Sequence, residues 1–385
     1  MNTITILGAT GSIGSQAQNV IKANPQHFQV QALTARNSAA KLAQTALALN
    51  AKFVALKNPA GADTLATLLK NSGTKWSTGN DAILEAANLP ATHTLAATVG
   101  TAGLAPTMIA AENGNTIALA NKETLVIAGT WLTKTAEKSG ARILPVDSEH
   151  NALFQLLDNI HPDRIDKLIL TASGGPFLHH SADELNRVTP EDARKHPTWS
   201  MGNKNSIDSA TFFNKGLEII EAHHLFNTPE NKIDVVVHPQ SLVHAMVACK
   251  DGALLAHLAP PDMQLPIAHA LLWPDNPPAA KTISPQDLSR LDFIAPDPVR
   301  FPALEISRAA LRAGQNAPAV LSLANEAAVA AFLAESLPFT EIPAVVSHAL
   351  AHARRAPSPS SAGEVETLES EVKALVASRI AGFAK

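Results

Sequence analysis

The chain has 385 residues, 46% of them hydrophobic and 17% charged, and a formal net charge of −4. That length calls for two or three domains, and that composition excludes a disordered chain. Without a basic block or a long apolar run, neither a nucleic-acid face nor a membrane span is expected; a lone cysteine, Cys249, excludes internal disulfides and thiolate metal clusters, and the lack of tyrosine removes a tyrosine acid.

The first strand is expected at about residue 3, which leaves no room for a signal or transit peptide and points to a cytoplasmic prokaryotic enzyme. Over residues 1–145, short apolar runs at 4–7, 30–33, 53–56, 94–97, 116–119 and 142–144 alternate with Ala-rich helical stretches such as 12–23 and 39–48. This is the rhythm of βαβ units and a parallel sheet. After Pro145 the pattern changes. A run at 167–170 ends in Ser173-Gly174-Gly175-Pro176. A polar stretch of about 25 residues follows, a length that usually has a function. One long helix is expected over 208–225, then strands at 235–237, 243–248 and 254–258. Residues 274–302 are proline-rich and read as a linker. Helical patterns at 303–312, 317–335, 342–352 and 365–381, joined by short loops, predict a small bundle. The expected architecture is α/β. A Rossmann-like parallel sheet (1–145) leads into a central α+β catalytic domain (146–275) with a lid at about 176–202. A linker (276–301) and a C-terminal helical bundle (302–385) complete it.

Gly8-Ala9-Thr10-Gly11-Ser12-Ile13-Gly14 lies between a strand and a helix. Small residues let a diphosphate approach the backbone, and the helix start offers N–H groups and a partial positive charge. The spacing is G-x-x-G-x-x-G, and a tight turn without ligand is the alternative. An NAD site places an acid at the end of the second strand. Here no Asp or Glu precedes Asp63, and the strand runs into Ala35-Arg36-Asn37. Arg36 can pair with a 2′-phosphate, so NADP is expected.

Asp147-Ser148-Glu149 follows a strand, and residues two apart in extended chain point the same way. With Glu218 from the 208–225 helix they make an oxygen-only set that suits Mg²⁺ or Mn²⁺. From local sequence alone, Asp147 and Glu149 read equally well as an N-cap and a first-turn acid. Asn214, Lys215 and Glu218 share a helix face, and Ser209 lies near the expected helix start, where a phosphate is welcome. Asn121-Lys122-Glu123 ends a strand, where a lysine can meet an anionic substrate. Ser173-Gly174-Gly175 suits a phosphate cradle, and the stretch through His196 and Trp199 a lid that excludes water. His179-His180 and His223-His224 read as surface.

These segments resemble the 1-deoxy-D-xylulose-5-phosphate reductoisomerase family of the non-mevalonate isoprenoid pathway. The resemblance is carried by Gly8–Gly14, Leu119-Ala-Asn-Lys-Glu123, Pro145-Val-Asp-Ser-Glu-His-Asn151, Ser173-Gly-Gly-Pro-Phe177, His196-Pro-Thr-Trp-Ser-Met-Gly202, Asp208-Ser-Ala-Thr211 with Asn214-Lys-Gly-Leu-Glu218, and His238-Pro-Gln-Ser241. It implies that Asp147, Glu149 and Glu218 bind the metal. It places Lys122, Ser148 and Glu149 on the substrate backbone, and Ser173, Ser209, Asn214 and Lys215 on its phosphate, with His196 on the lid. It assigns Thr10, Gly11, Ser12, Ile13, Arg36, Asn37, Asn121, Glu123 and Gly202 to NADPH. Lys122, Asp147, Glu149, Glu218 and His196 would be catalytic. The implied reaction takes 1-deoxy-D-xylulose 5-phosphate to 2-C-methyl-D-erythritol 4-phosphate, in a homodimer. The family usually carries a glycine where Ala35 stands, and the turn here is one residue shorter.

Two other readings compete. The Gly8–Gly14 turn also resembles aspartate-semialdehyde and acyl-phosphate reductases, which need a nucleophilic cysteine; Cys249 lies in an apolar strand pattern. A non-catalytic NADPH sensor with a partner-binding bundle is the second, and the carboxylates and lysines at strand ends argue against it.

Overall fold

Short aliphatic runs bounded by Gly, Asn and Pro form the first sheet. Its strands are β1 (Asn2–Leu7), β2 (Phe28–Ala35), β3 (Phe53–Leu56), β4 (Lys75–Thr78), β5 (His93–Ala96), β6 (Thr116–Leu119) and β7 (Arg142–Pro145). The order is β4-β3-β2-β1-β5-β6-β7, and every neighbouring pair is parallel. The chain steps outward from β1 to β4, then returns to the other side of β1 with β5. The winding therefore reverses between β1 and β5, and a ligand crevice belongs at the carboxyl ends of these strands. Strands buried on both faces read as continuous apolar runs, which is why β1, β3 and β6 are plain in the sequence. β4 was not expected: Lys-Trp-Ser-Thr is an exposed edge without an apolar run.

The computed structural model describes residues 1–199, 201–275 and 281–382. By backbone contacts they fall into two units, one of residues 1–124, 132–151 and 262–275, the other of 125–131, 152–261 and 281–382. The first unit includes a helix absent from the sequence expectations, Gln264–Leu272. It packs on the helix Ser12–Ala23. Its pattern is apolar all round and contains Pro266, so no helical stripe betrays it.

In the second unit, β8 (Ile165–Ala172), β9 (Ile233–Val237), β10 (Val243–Cys249) and β11 (Leu254–Leu258) form a sheet of order β11-β10-β8-β9. β8 and β9 are parallel, and the other pairs antiparallel. Leu168, Leu170, Ala245 and Val247 of this sheet share a core with Ile219 and Ala222. The C-terminal helices are Ala303–Ala313, Ala317–Leu333, Ile342–His352 and Ala362–Ile380.

The single helix expected over 208–225 is two helices, Asn203–Thr211 and Phe213–Phe226. Phe212 separates them in the left-handed region, at φ +67°. A bulky residue rarely adopts that conformation without support; here its ring packs on Phe301, centroids 4.7 Å apart. Ser209 consequently sits at the end of one helix rather than near a start. Asn214 and Lys215 open the next helix instead.

The polar stretch after Ser173 is built locally. Its two short helices, Ala182–Leu185 and Pro190–Ala193, each begin with a capping box, Ser181 with Glu184 and Thr189 with Asp192. Arg300 ties down its base by donating to the carbonyls of Leu178 (3.0 Å) and His180 (2.7 Å). Ser200 of the expected lid, 276–280 of the expected linker and 383–385 of the expected bundle lie outside the described residues.

Candidate active site

In the first unit the Gly8–Gly14 turn leaves β1 at the point where the sheet reverses. Gly8 has φ +86°, and a Cβ there would lie 2.6 Å from the Ala97 carbonyl oxygen. That close approach sets the turn beside the end of β5 and requires glycine. The Gly8 N–H donates to Thr34 Oγ1 (2.9 Å), and the Ala9 N–H to the Thr34 carbonyl (2.8 Å), which holds the turn to β2. The helix Ser12–Ala23 has Gly11 as its N-cap and no side-chain cap, so its first N–H groups keep their donors for a ligand. Thr10 and Ile13 are half-buried, and Gly11 and Ser12 exposed. Arg36 and Asn37 follow β2 and are exposed, with Asn58 donating to Asn37 Oδ1 (3.3 Å). Sequence reasoning passed over Lys41. Its ammonium donates to the Thr10 carbonyl (2.8 Å) and Ser15 Oγ (2.9 Å), a positive charge placed on the Gly8–Gly14 turn. Only the fold brings it there, because 31 residues separate it from Thr10.

Asn121 caps the helix Lys122–Ser139 by accepting from the Thr124 N–H (3.0 Å). Its amide donates to the carbonyls of Thr98 and Gly100. Asn121 is 2% exposed, so its side chain is committed to joining the ends of β5 and β6. Glu123 is buried beside it. Lys122, also buried, donates to Asp147. Adjacent parallel strands bring the two together, since Lys122 follows β6 and Asp147 follows β7. Ser148 and Glu149 begin the helix Ser148–Leu157, with Ser148 Oγ donating to Glu149 Oε2. The Asn151 N–H donates to the Asp147 carbonyl (2.8 Å), so Asp147 also serves the helix start. A second residue missed from sequence is His150, fully buried, with Nδ1 3.5 Å from Asp147 Oδ1. The three-residue spacing at a helix start was the available signal.

In the second unit Gly175 brings Ser173 to Ser209. It has φ +66°, and a Cβ on it would lie 2.8 Å from the Ser209 carbonyl oxygen. His196 joins the same cluster. The N–H groups of Thr198 (3.1 Å) and Trp199 (2.9 Å) both donate to its Nδ1. A nitrogen that accepts two N–H groups carries no proton, so the proton is on Nε2, which donates to Ser173 Oγ (2.8 Å). The Gly175 N–H reaches the same Oγ (3.2 Å). Ser173 therefore accepts twice and keeps its own proton to donate elsewhere. Burial pushes the His196 imidazole down to about 4, consistent with this neutral tautomer. Lys215 and Asn214 both donate to Glu218, whose carboxylate is 1% exposed. Gly202 is exposed at the N-cap of Asn203–Thr211. Cys249 is buried in the core of the second sheet, which leaves the cysteine-dependent reading without a nucleophile.

Three family profiles account for most of the chain. Residues 4–129 match the 1-deoxy-D-xylulose 5-phosphate reductoisomerase profile, 143–226 that enzyme's C-terminal domain, and 258–375 a further DXP reductoisomerase C-terminal domain. The chain belongs to the 1-deoxy-D-xylulose 5-phosphate reductoisomerase family. Among relatives of that name, the one from Rhodopseudomonas palustris (strain BisB18) is 47% identical over 91% of this chain and 86% of its own length. The one from Zymomonas mobilis is 45% identical over 96% of each. A solved structure of the Zymomonas mobilis reductoisomerase in complex with NADPH matches with a TM-score of 0.91 and 42% identity, over 98% of this chain and 99% of that one. A DOX-P reductoisomerase in complex with NADPH, fosmidomycin and magnesium matches with a TM-score of 0.95 and 38% identity over the whole of both chains. As a member of this family the chain is an enzyme, an oxidoreductase. Among the described residues, no helix is long and apolar enough to cross a membrane.

His224 and His244 are also pushed down to about 4, with burial the largest cause. Between pH 4 and 6.5 the unfolded chain thus binds more protons at His196, His224 and His244 than the folded one, so stability rises with pH in that window. Their contribution is complete above about pH 6.5 and is lost as pH falls toward 4. Urea unfolding near pH 7 and near pH 5 should give a lower midpoint at the acid pH, and His196→Gln should reduce the difference. Equal reductions of zero in this variant and in His224→Gln would contradict the neutral, buried assignment.

Proposed function

We propose a division of labour among these residues for the family's reaction, the NADPH- and divalent-metal-dependent rearrangement and reduction of 1-deoxy-D-xylulose 5-phosphate to 2-C-methyl-D-erythritol 4-phosphate in isoprenoid precursor synthesis. The chain catalyses this reaction. The observation that carries the division is the pairing of two carboxylates with lysines, the half-buried Asp147 with Lys122 and the buried Glu218 with Lys215. Carboxylates kept ionised out of water call for positive charge. Asp147, Glu149 and Glu218 offer oxygen only, a set fitted to Mg²⁺ or Mn²⁺. Such an ion, when bound, polarises a ketone and its neighbouring hydroxyl as a Lewis acid.

The remaining roles are those that the family resemblance implies. Lys122, Ser148 and Glu149 hold the substrate backbone. Ser173 offers its remaining hydroxyl proton to the phosphate, with Ser209, Asn214 and Lys215 as further partners. His196 orients Ser173 and, on the lid, keeps water from the reacting carbons. The carbon skeleton cleaves and re-closes in retro-aldol fashion to an aldehyde phosphate, which NADPH reduces. Thr10, Gly11, Ser12 and Ile13 hold the cofactor diphosphate, helped by Lys41. Arg36 and Asn37 hold the 2′-phosphate, and Asn121, Glu123 and Gly202 shape the rest of the cofactor site.

The chain acts in the cytoplasm as a homodimer. Support for the dimer is β11, an edge strand on which Leu254 is 56% exposed and Leu255 36% exposed. An apolar edge with open backbone donors and acceptors invites a second copy.

Loss of NADPH absorbance with 1-deoxy-D-xylulose 5-phosphate should require a divalent ion. Asp147→Asn and Glu218→Gln should each lower turnover by at least about 10²-fold and leave NADPH binding intact. Full activity after chelation and dialysis would exclude the metal. Arg36→Glu should weaken NADPH by about ten- to a hundred-fold, the worth of a charge-assisted hydrogen bond, with NADH little changed; equal losses would refute the 2′-phosphate contact. Sedimentation should give twice the chain mass, and a monomer at assay concentration would refute the dimer.

A further inference from the structure

Asp208 lies on the helix Asn203–Thr211, one residue before Ser209, and is 1% exposed. A carboxylate so deeply buried must be paired on both oxygens or pay heavily in desolvation. Lys204, one turn earlier, donates to Oδ2 at 2.7 Å. Asn325, on the C-terminal helix Ala317–Leu333, donates through Nδ2 to Oδ1 at 2.7 Å. Asn325 is fully buried. Its own Oδ1 finds no hydrogen-bond partner among the described residues. A buried amide with an unpaired oxygen carries a desolvation cost of its own. What the amide supplies is one directed hydrogen bond across 117 residues of sequence.

That bond fixes the rotation of a short helix about its axis. Successive residues on a helix differ by about 100°, so holding Asp208 against the C-terminal helix sets where Ser209 points. The same helix is also met by Gly175, which packs on the backbone of Ser209 and Ala210. We infer that Asn325 is a positioning residue for the substrate's phosphate, acting through Asp208 on Ser209. This rests on the assignment of Ser209 to the phosphate made above. It extends the site to a helix that touches no reacting atom.

The test compares the wild-type chain with Asn325→Ala, Asn325→Asp and the exchange Asp208→Asn/Asn325→Asp, each checked for folding by circular dichroism. Asn325→Ala should raise KM for 1-deoxy-D-xylulose 5-phosphate by about tenfold or more, with KM for NADPH and kcat within about twofold. Asn325→Asp sets two carboxylates face to face and should raise the same KM further. The exchange restores an amide–carboxylate pair with the roles reversed and should recover most of the loss. A folded Asn325→Ala with the wild-type KM overturns the inference. So does a rise shared equally by sugar phosphate and NADPH, or an exchange variant no better than Asn325→Asp. Failure of the wild-type chain to turn over the sugar phosphate is a different result: it refutes the reading of the reaction, and the inference with it.

Discussion

A carboxylate buried in protein stays ionised only if cations or N–H donors replace its lost water. Three carboxylates here meet that demand with a lysine each: Asp147 with Lys122, Glu218 with Lys215 and Asp208 with Lys204. Two of the pairs are local, at three- and four-residue spacing, each within its own helix, and cost little chain entropy to assemble. The third joins residues 25 apart, and it exists because β6 and β7 are parallel neighbours whose carboxyl ends lie side by side. Engaging one member of such a pair leaves the other without its partner, so each pair is costly to break.

The sheet supplies the other fixed element. Its winding reverses between β1 and β5, and the turns after those strands must pass close to one another. Gly8 meets this by a positive φ and by the lack of a Cβ against Ala97. Asn121 then ties the turn after β5 to the helix after β6 through hydrogen bonds at both ends of its amide. The dinucleotide turn is thus held by backbone and buried amide contacts. Its outward groups, Thr10 to Ile13, remain for a ligand.

Much of this was legible in the sequence because period and composition carry it. Continuous apolar runs marked the buried strands, and Gly8–Gly14 marked the turn. What stayed hidden has specific physical causes. β4 has no apolar run, and Gln264–Leu272 has only Gln264 and His269 to break its apolar pattern. Lys41 reaches Thr10, and Asn325 reaches Asp208, only through tertiary folding, and no local pattern encodes either. His150 was visible as a spacing from Asp147, but its burial was not. Motif resemblance placed the remaining site residues in order along the chain, and could not say which side chains would be consumed in holding one another, as Asn121 is.

The break at Phe212 shows why a helix prediction can be right in content and wrong in consequence. On one continuous helix Ser209 would lie about 140° from Asn214 and about 120° from Lys215, so the three would not share a face. The left-handed Phe212 ends one helix and starts another, and its ring is held by Phe301. Ser209 then closes the first helix while Asn214 and Lys215 open the second. The new helix start has Phe212 as its N-cap, which offers no side-chain acceptor. The Phe213 N–H at this start donates instead to Thr211 Oγ1, at 3.4 Å, which links the two helices across the break. A left-handed aromatic residue in place of a helical one is what takes Ser209 off the helix that carries Asn214 and Lys215. The bond from Asn325 to Asp208 then acts on the first of the two helices, so that both sides of the break are fixed by contacts outside it.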